Sequence, residues 1–120
     1  MDHFTPAPIR PTISVAEVER LDVRVGTIMS AAPLPDSRKL VRLQVDCGDR
    51  VRTILAGMQG ERAELGDLEG RQALFVVNLA PKRMGGEVSE GMLFDIGYAD
   101  GLTPALAVPE RPLPNGVRAG

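Results

Sequence analysis

From Leu21 onward the apolar residues fall on alternate positions, with Leu21, Val23 and Val25 on one face and Asp22 and Arg24 on the other. This is the two-residue period of a half-buried strand. Gly26 interrupts the alternation and predicts a bulge or sharp bend. After a loop at Pro33-Leu34-Pro35-Asp36-Ser37 the period resumes, with Val41, Leu43 and Val45 dry and Arg42 and Gln44 wet. Asp46-Cys47-Gly48-Asp49-Arg50 supplies turn residues, so Val51 to Ala56 returns as a hairpin partner. Ala73-Leu74-Phe75-Val76-Val77 is continuously apolar and predicts a central strand covered on both faces. Gly91 to Ile96 reads as another strand, Tyr98-Ala99-Asp100-Gly101 as a turn, and Ala105 to Val108 as a short edge strand bounded by Pro104 and Pro109.

Helical signals are few. Ser14-Val15-Ala16-Glu17 has the spacing of a capping box, with Ile13 and Val18 in the flanking staple positions, and predicts a short helix from about Val15 to Arg20. Glu61 to Asp67 is compatible with a helical turn that Gly60 and Gly66 limit. Residues 1–12, with Pro6, Pro8 and Pro11, read as a flexible extended arm, which leaves residues 13–120 as one domain. Short strands with closely spaced turns predict an all-β antiparallel barrel; periodicity alone does not separate it from a small sandwich.

A length of 120 residues is that of a single domain. The lone cysteine, Cys47, has no internal partner, and neither a signal peptide nor a membrane-length apolar run is evident, so a cytoplasmic protein with no membrane partner is expected. A net charge of -2 and a pI near 5.4 exclude a protein coated in positive potential, so any grip on a polyanion is local. Charge is unevenly spread: Arg38, Lys39, Arg42, Arg50 and Arg52 cluster against Asp46 and Asp49, while Glu61, Glu64, Asp67 and Glu69 gather further on. With a Debye length of about 8 Å at physiological salt, distant acids do not cancel a compact basic face.

The most informative stretch is Asn78-Leu79-Ala80-Pro81-Lys82-Arg83-Met84 running into Ser89-Glu90-Gly91-Met92. It puts an amide at the end of an apolar strand, then adjacent cations, then a small hydroxyl beside a glycine. Pro81 is expected to keep Lys82 and Arg83 out of the strand ladder, where the Arg fork and the Lys point charge suit a phosphate; solvated cations are the alternative. Asn78 suits a base edge or a sugar hydroxyl, or else tethers the following loop. Ser89 with Gly91 permits close approach to a ligand. Met84 and Met92 fit either the core or a groove edge. Lys39 and Arg42 share a surface only if Lys39 precedes the strand proper; Arg42 and Gln44 do share one.

These residues resemble the tRNA-binding domain family, whose signature N-L-x-P-[RK]-[RK]-[ML]-x-G-x-x-S-x-G-M is matched from Asn78 to Met92. Asp22-Val23-Arg24-Val25-Gly26-Thr27-Ile28 is similar to its opening strand, and Lys39 to Gly48 and Arg52 to Gly57 are similar to its hairpin and following strand. The resemblance implies an OB fold, a five-stranded Greek-key barrel, here with a short N-terminal helix and a C-terminal extension. It also implies recognition of tRNA shape and phosphates through Lys39, Arg42, Arg52, Asn78, Lys82, Arg83, Met84, Ser89 and Met92. Departures are Ala56 for a usual serine, which removes a hydroxyl, Arg38 for a usual acid, and a divergent stretch from Gln59 to Asp67. With only Phe4, Phe75, Phe94 and Tyr98 as aromatics, and Phe75 expected in the core, base stacking is a minor contributor.

Catalysis finds no constellation. His3 is the only histidine and lies in the arm, Cys47 has no basic partner in its motif, Ser89 lacks half of a G-x-S-x-G elbow, and Gly57-Met58-Gln59-Gly60 is too short for a phosphate loop. No enzyme, metal or cofactor is expected. The resemblance implies a free-standing member, since no synthetase core is present, with a synthetase as a further partner. It extends to CsaA-type export chaperones, so an unfolded precursor peptide in the same groove is the rival ligand. The resemblance also implies a homodimer, the common state in both groups, for which Val15, Val18 and Ala105-Leu106-Ala107-Val108 are the candidate contacts; in a monomer the same residues would plug the barrel ends.

Overall fold

The computed structural model describes residues 4–120; His3 and the first residues of the expected arm lie outside them. Residues 4–13 are exposed and carry no regular secondary structure. The capping box forms as expected: the Ser14 hydroxyl accepts from the Glu17 amide at 3.2 Å and the Glu17 carboxylate accepts from the Ser14 amide at 3.2 Å. It starts α1, Val15–Val18, a single turn with no buried residue.

A sheet of curled antiparallel strands follows. β1 (Val23–Pro33), β2 (Val41–Asp46) and β3 (Val51–Ala56) form a meander, β4 (Gln72–Val76) pairs with the other edge of β1, and β7 (Met92–Leu93) pairs with β4. The order β3-β2-β1-β4-β7 makes β1 the middle strand, so the central position expected for the 73–77 run belongs to β1. A long strand that serves two partners along its length takes the centre. β4 still buries Ala73, Phe75 and Val76, while Leu74 is half-buried.

The expected bend at Gly26 is also displaced. β1 runs through Gly26 without a break, and the register shift lies between Ile28 and Ser30, at Met29. Gly26 is demanded by packing: a Cβ there would sit 2.7 Å from Val45 Cγ1 and 3.1 Å from Phe75 Cδ2. Where the sheet curls hardest its inner face has no room for a side chain. The alternation of β2 holds, with Val41, Leu43 and Val45 fully buried. They pack with Ile28, Ile54, Leu68 and Phe75 in one core, each such side chain contributing about 1.5–3 kcal/mol over its exposed state.

Elsewhere the chain breaks into shorter pieces than its pattern suggests. Glu61 to Asp67 is not a helical turn; a 3-10 turn at Leu65–Leu68 replaces it and inserts Leu68 into the core. The 91–96 segment splits into β7 and β8 (Asp95–Ile96), and β8 pairs with β9 (Ala105–Leu106). A last strand, β10 (Arg118–Ala119), pairs with the start of β1.

Between β4 and β7 stands a two-stranded ribbon, β5 (Lys82–Met84) and β6 (Glu87–Ser89). Here the barrel closes. The outer edge of β3 has no full strand beside it, yet its polar groups are matched. The Thr53 carbonyl accepts from the Glu90 amide at 2.8 Å, the Thr53 amide donates to the Glu90 carboxylate at 3.0 Å, and the Leu55 amide donates to the Ser89 hydroxyl at 3.0 Å. Two side chains replace ladder carbonyls, and an open sheet becomes an OB barrel. Ser89→Ala leaves the Leu55 amide buried without an acceptor, so it is expected to cost about 1–3 kcal/mol, read as a lower urea midpoint with an unchanged slope.

Candidate nucleic-acid interface

The cations of the central motif sit within the ladder of the ribbon, contrary to the expectation that Pro81 keeps them out of one. Lys82 lies opposite Ser89, Arg83 opposite Val88 and Met84 opposite Glu87. The turn between them is Gly85-Gly86, both at positive φ (55° and 85°), a two-residue hairpin connection that suits the twist of its strands. Alternation then places Lys82 and Met84 on the barrel side of the ribbon and Arg83 on the outer side. The two cations lie on different faces of the ribbon, and the Arg83 guanidinium donates to the Gly86 carbonyl at 3.3 Å.

Two neutral residues of the motif are engaged inside the protein. Ser89 is 4% exposed; besides accepting from Leu55 its hydroxyl donates to the Gly91 carbonyl at 2.9 Å. The close approach that Gly91 permits is to the chain itself, since a Cβ there would lie 2.8 Å from the Val76 carbonyl oxygen. Asn78 is exposed and acts as the tether: its side-chain oxygen accepts from the Asp22 amide at 2.9 Å and its nitrogen donates to the Arg20 carbonyl at 2.7 Å. An amide at the end of β4 thus continues the pairing that the strand backbone leaves off. Met84 is half-buried and Met92 is exposed.

Arg42, Arg50 and Arg52 all have acidic partners. Arg42 forms a bidentate pair with Glu87 of the ribbon, both bonds 2.8 Å. The shared hydrogen bonds hold the Glu87 carboxyl below its ordinary range and raise the Arg42 guanidinium. Both side chains are about one-third exposed, so solvent screens much of this attraction. Gln44 shares the Arg42 face, as alternation requires, and accepts from the Thr53 hydroxyl at 3.2 Å. Arg50 reaches Glu90 at 2.8 Å, and the Thr53 amide, then Arg50, depress that carboxyl.

Arg52 lies opposite Val45 and therefore on the inward face of β3, at the end of the barrel. Its side chain is 11% exposed, its guanidinium holds Asp49 at 2.7 and 3.0 Å, and its buried Nε has no partner. Burial raises the neighbouring Cys47 thiol despite that cation. Ala56 is likewise inward, opposite Val41, so a serine hydroxyl there would face the core side and not a ligand.

Arg38 and Lys39 differ: both are exposed and neither has an acidic partner among the described residues. Lys39 precedes β2, which begins at Val41, so the condition for sharing a surface with neighbouring cations is met. The ribbon turn packs on this loop: a Cβ on Gly85 would lie 2.7 Å from Leu34 Cδ2 and 2.9 Å from Leu40 Cδ1. The ribbon turn and the loop that carries Arg38 and Lys39 are therefore in contact. Of the aromatics, Phe75 is buried as expected, while Phe4, Phe94 and Tyr98 are exposed.

Residues 23–118 match the model of the family described as "Putative tRNA binding domain". The chain belongs to the tRNA-binding domain family. It is 35% identical over 109 residues to a methionine-tRNA ligase of Parabacteroides distasonis, covering 91% of this chain but only 16% of that enzyme. In three dimensions it is similar to a MetRS-related protein from Pyrococcus horikoshii, with a TM-score of 0.83, 31% identity, and 92% of this chain and 100% of that one covered. It is also similar to the chaperone CsaA of Bacillus anthracis, with a TM-score of 0.74, 29% identity and coverage of 92% and 100%.

The Arg52 pair makes a pH-dependent contribution. Its hydrogen bonds lower Asp49 from the ordinary 3.8 to about 2. A depressed folded-state value means that this stability is present above pH 3.8 and is lost as pH falls towards about 2. Asp49→Asn is expected to flatten the acid limb of the urea midpoint in that window while lowering the midpoint at neutral pH, where Arg52 loses its counter-charge.

Proposed function

We propose that this domain binds tRNA by its shape and phosphate backbone, through a seat formed by the Arg38-Lys39 loop and the Lys82-Arg83 ribbon. The observation that carries the reading is the contact between two cation-bearing segments: Gly85 seats the ribbon turn on Leu34 and Leu40, in the loop whose cations no described acid neutralises. Met84, on the ribbon itself, supplies an apolar edge to the seat, whereas Met92 lies on β7 beside Val76. Arg42, held by Glu87, contributes at its margin. Asn78, Ser89 and Arg52 serve indirectly, by holding the segments that carry the contacts. A free-standing role is supported by the Pyrococcus horikoshii protein, whose chain is matched along its whole length; the ligase relative supports a role beside a synthetase.

A second copy of the chain is the partner we propose for the face that carries α1. Val15 is 75% exposed and Val18 53%, α1 buries nothing, and α1 borders a cleft of about 650 Å³ whose apolar lining, Leu21, Val23, Leu74 and Phe94, is bordered by Glu19, Arg20, Asp22 and Arg118. Pairing of two such faces would cover them and duplicate the cationic seat. The likeness to the chaperone CsaA supports an alternative ligand, an unfolded precursor peptide in the groove that would otherwise hold the RNA.

Unfractionated tRNA, duplex DNA and an unfolded export precursor, titrated against salt, separate the readings. Lys39→Gln with Lys82→Gln and Arg83→Gln is expected to weaken tRNA binding and flatten the log-log salt slope by about 0.7–0.9 for each phosphate no longer neutralised. Arg52→Gln is expected to lower stability and leave that slope alone. Precursor binding without tRNA binding would overturn the assignment. Val15→Glu with Val18→Glu is expected to convert a dimer to a monomer in sedimentation equilibrium, with the thermal midpoint of the barrel retained.

A further inference from the structure

Gln59 stands in the divergent stretch after β3, and its side chain reaches the cationic loop. Its Nε2 donates to the Ser37 carbonyl at 2.8 Å and to the Leu40 carbonyl at 2.6 Å. Its backbone amide donates to the Lys39 carbonyl at 3.0 Å. From the other side the Ser37 hydroxyl accepts from the Lys39 amide at 3.2 Å and the Leu40 amide at 3.0 Å. The amide of Ser37 donates to Leu34, and the amide of Leu34 to Leu40. Within residues 37–40 only Arg38 has a backbone carbonyl and amide with no such bond, and it lies at the crest of the loop.

Met58, buried at 4%, anchors the adjacent position, so Gln59 is held by the core while it holds the loop. Glutamine fits the task because one nitrogen carries two donors and no charge. A lysine there would repel the cations it serves, and a glutamate would face two carbonyl oxygens.

We infer that Gln59 is a positioning residue which fixes the Arg38-Lys39 backbone against the ribbon turn, and that Arg38 is a further phosphate contact on the seat so formed. The inference rests on the tRNA-binding reading above. A loop already ordered does not lose conformational freedom when the polyanion arrives, and that saving appears as affinity. The charges remain when the clasp is removed, so the affinity falls while the salt slope stays.

Two variants of the full chain loosen the loop from opposite sides: Gln59→Met, similar in length with no donors, and Ser37→Ala. Amide exchange at Leu40 and at position 59, measured without RNA, reads the loop; unfractionated tRNA, titrated against salt, reads the seat. Both variants are expected to exchange faster at those amides, to leave the β4 amides unchanged, and to bind tRNA about 5- to 30-fold more weakly with an unaltered salt slope. Arg38→Gln is expected to do the reverse, leaving exchange alone and flattening the slope. Faster exchange with unchanged tRNA affinity overturns the inference, and so does unchanged exchange. Acceleration that spreads to β4 in both variants overturns it too, because the clasp would then hold the barrel and not the loop. An unmodified protein that fails to bind tRNA sinks the RNA reading itself, an outcome distinct from failure of the variants alone.

Discussion

The free edge of β3 governs this molecule. A sheet in the order β3-β2-β1-β4-β7 curls until its ends approach, but its last strand is two residues long and cannot supply a ladder. Ser89 and Glu90 supply acceptors instead, at Leu55 and Thr53. Their position forces the chain before them to cross the outside of β2 and β3 as a ribbon. Leu55, on the outward face of β3, is buried at 5% because of it. The same crossing brings Glu87 to Arg42 and the Gly85 turn to Leu34 and Leu40. Closure and presentation of the cations are thus one arrangement.

The charge balance follows from that geometry. The chain has 14 Lys and Arg residues against 16 Asp and Glu, a ratio that by itself gives no basic protein. Many arginines are tied to acids: Arg24 and Arg118 both reach Asp22, Arg42 meets Glu87, Arg50 meets Glu90 and Arg52 meets Asp49. Where such pairs are exposed, solvent screens them and they contribute little stability. Their larger effect is on the field, because a paired cation is a dipole at the range of a Debye length. Among the described residues Arg38, Lys39, Lys82 and Arg83 have no acid partner and lie on the loop and the ribbon, while Arg10, Arg20 and Arg71, also without one, lie elsewhere. Polyanion recognition by an anionic chain depends on which cations go unpaired rather than on how many there are.

Much of this is legible in the sequence, and the failures are instructive. Period-two alternation finds β2, which has a drier and a wetter face, and the turn residues after it place β3 as its hairpin partner, although β3 buries both Ile54 and Leu55. It misses β10, whose two residues are both exposed and leave no periodic trace, and it reads 91–96 as one strand because apolar residues continue across the corner at Phe94. Gly26 is visible as a special position, but glycine in a strand marks either a bend or a close approach, and only the distance to Val45 decides between them. Motif spacing locates the right segment and blurs its chemistry. Asn78, Ser89 and Arg52 are polar in the sequence, and nothing local announces that Asp22, Leu55 and Asp49 already hold them. Gly85-Gly86, by contrast, is a readable hairpin signal between two short polar runs.

The division of labour inside the motif bears on how its residues should be weighed. Asn78 and Ser89 sit at the two ends of the excursion that leaves the barrel after β4 and returns before β7. Asn78 fixes the departure by tying the end of β4 to the Arg20-Asp22 segment, and Ser89 fixes the return by capping the edge of β3. Between those two fixed points lie a glycine turn and Lys82 and Arg83, whose side chains are exposed and make no hydrogen bond to the barrel. A polar residue with its hydrogen bonds satisfied internally constrains geometry; a cation with none is available to a ligand. The spacing from Asn78 to Ser89 therefore specifies a loop of fixed length with charged residues at its exposed middle. The Arg38-Lys39 loop repeats the logic on the facing side, with Gln59 and Ser37 as the fixed points and the cations between them.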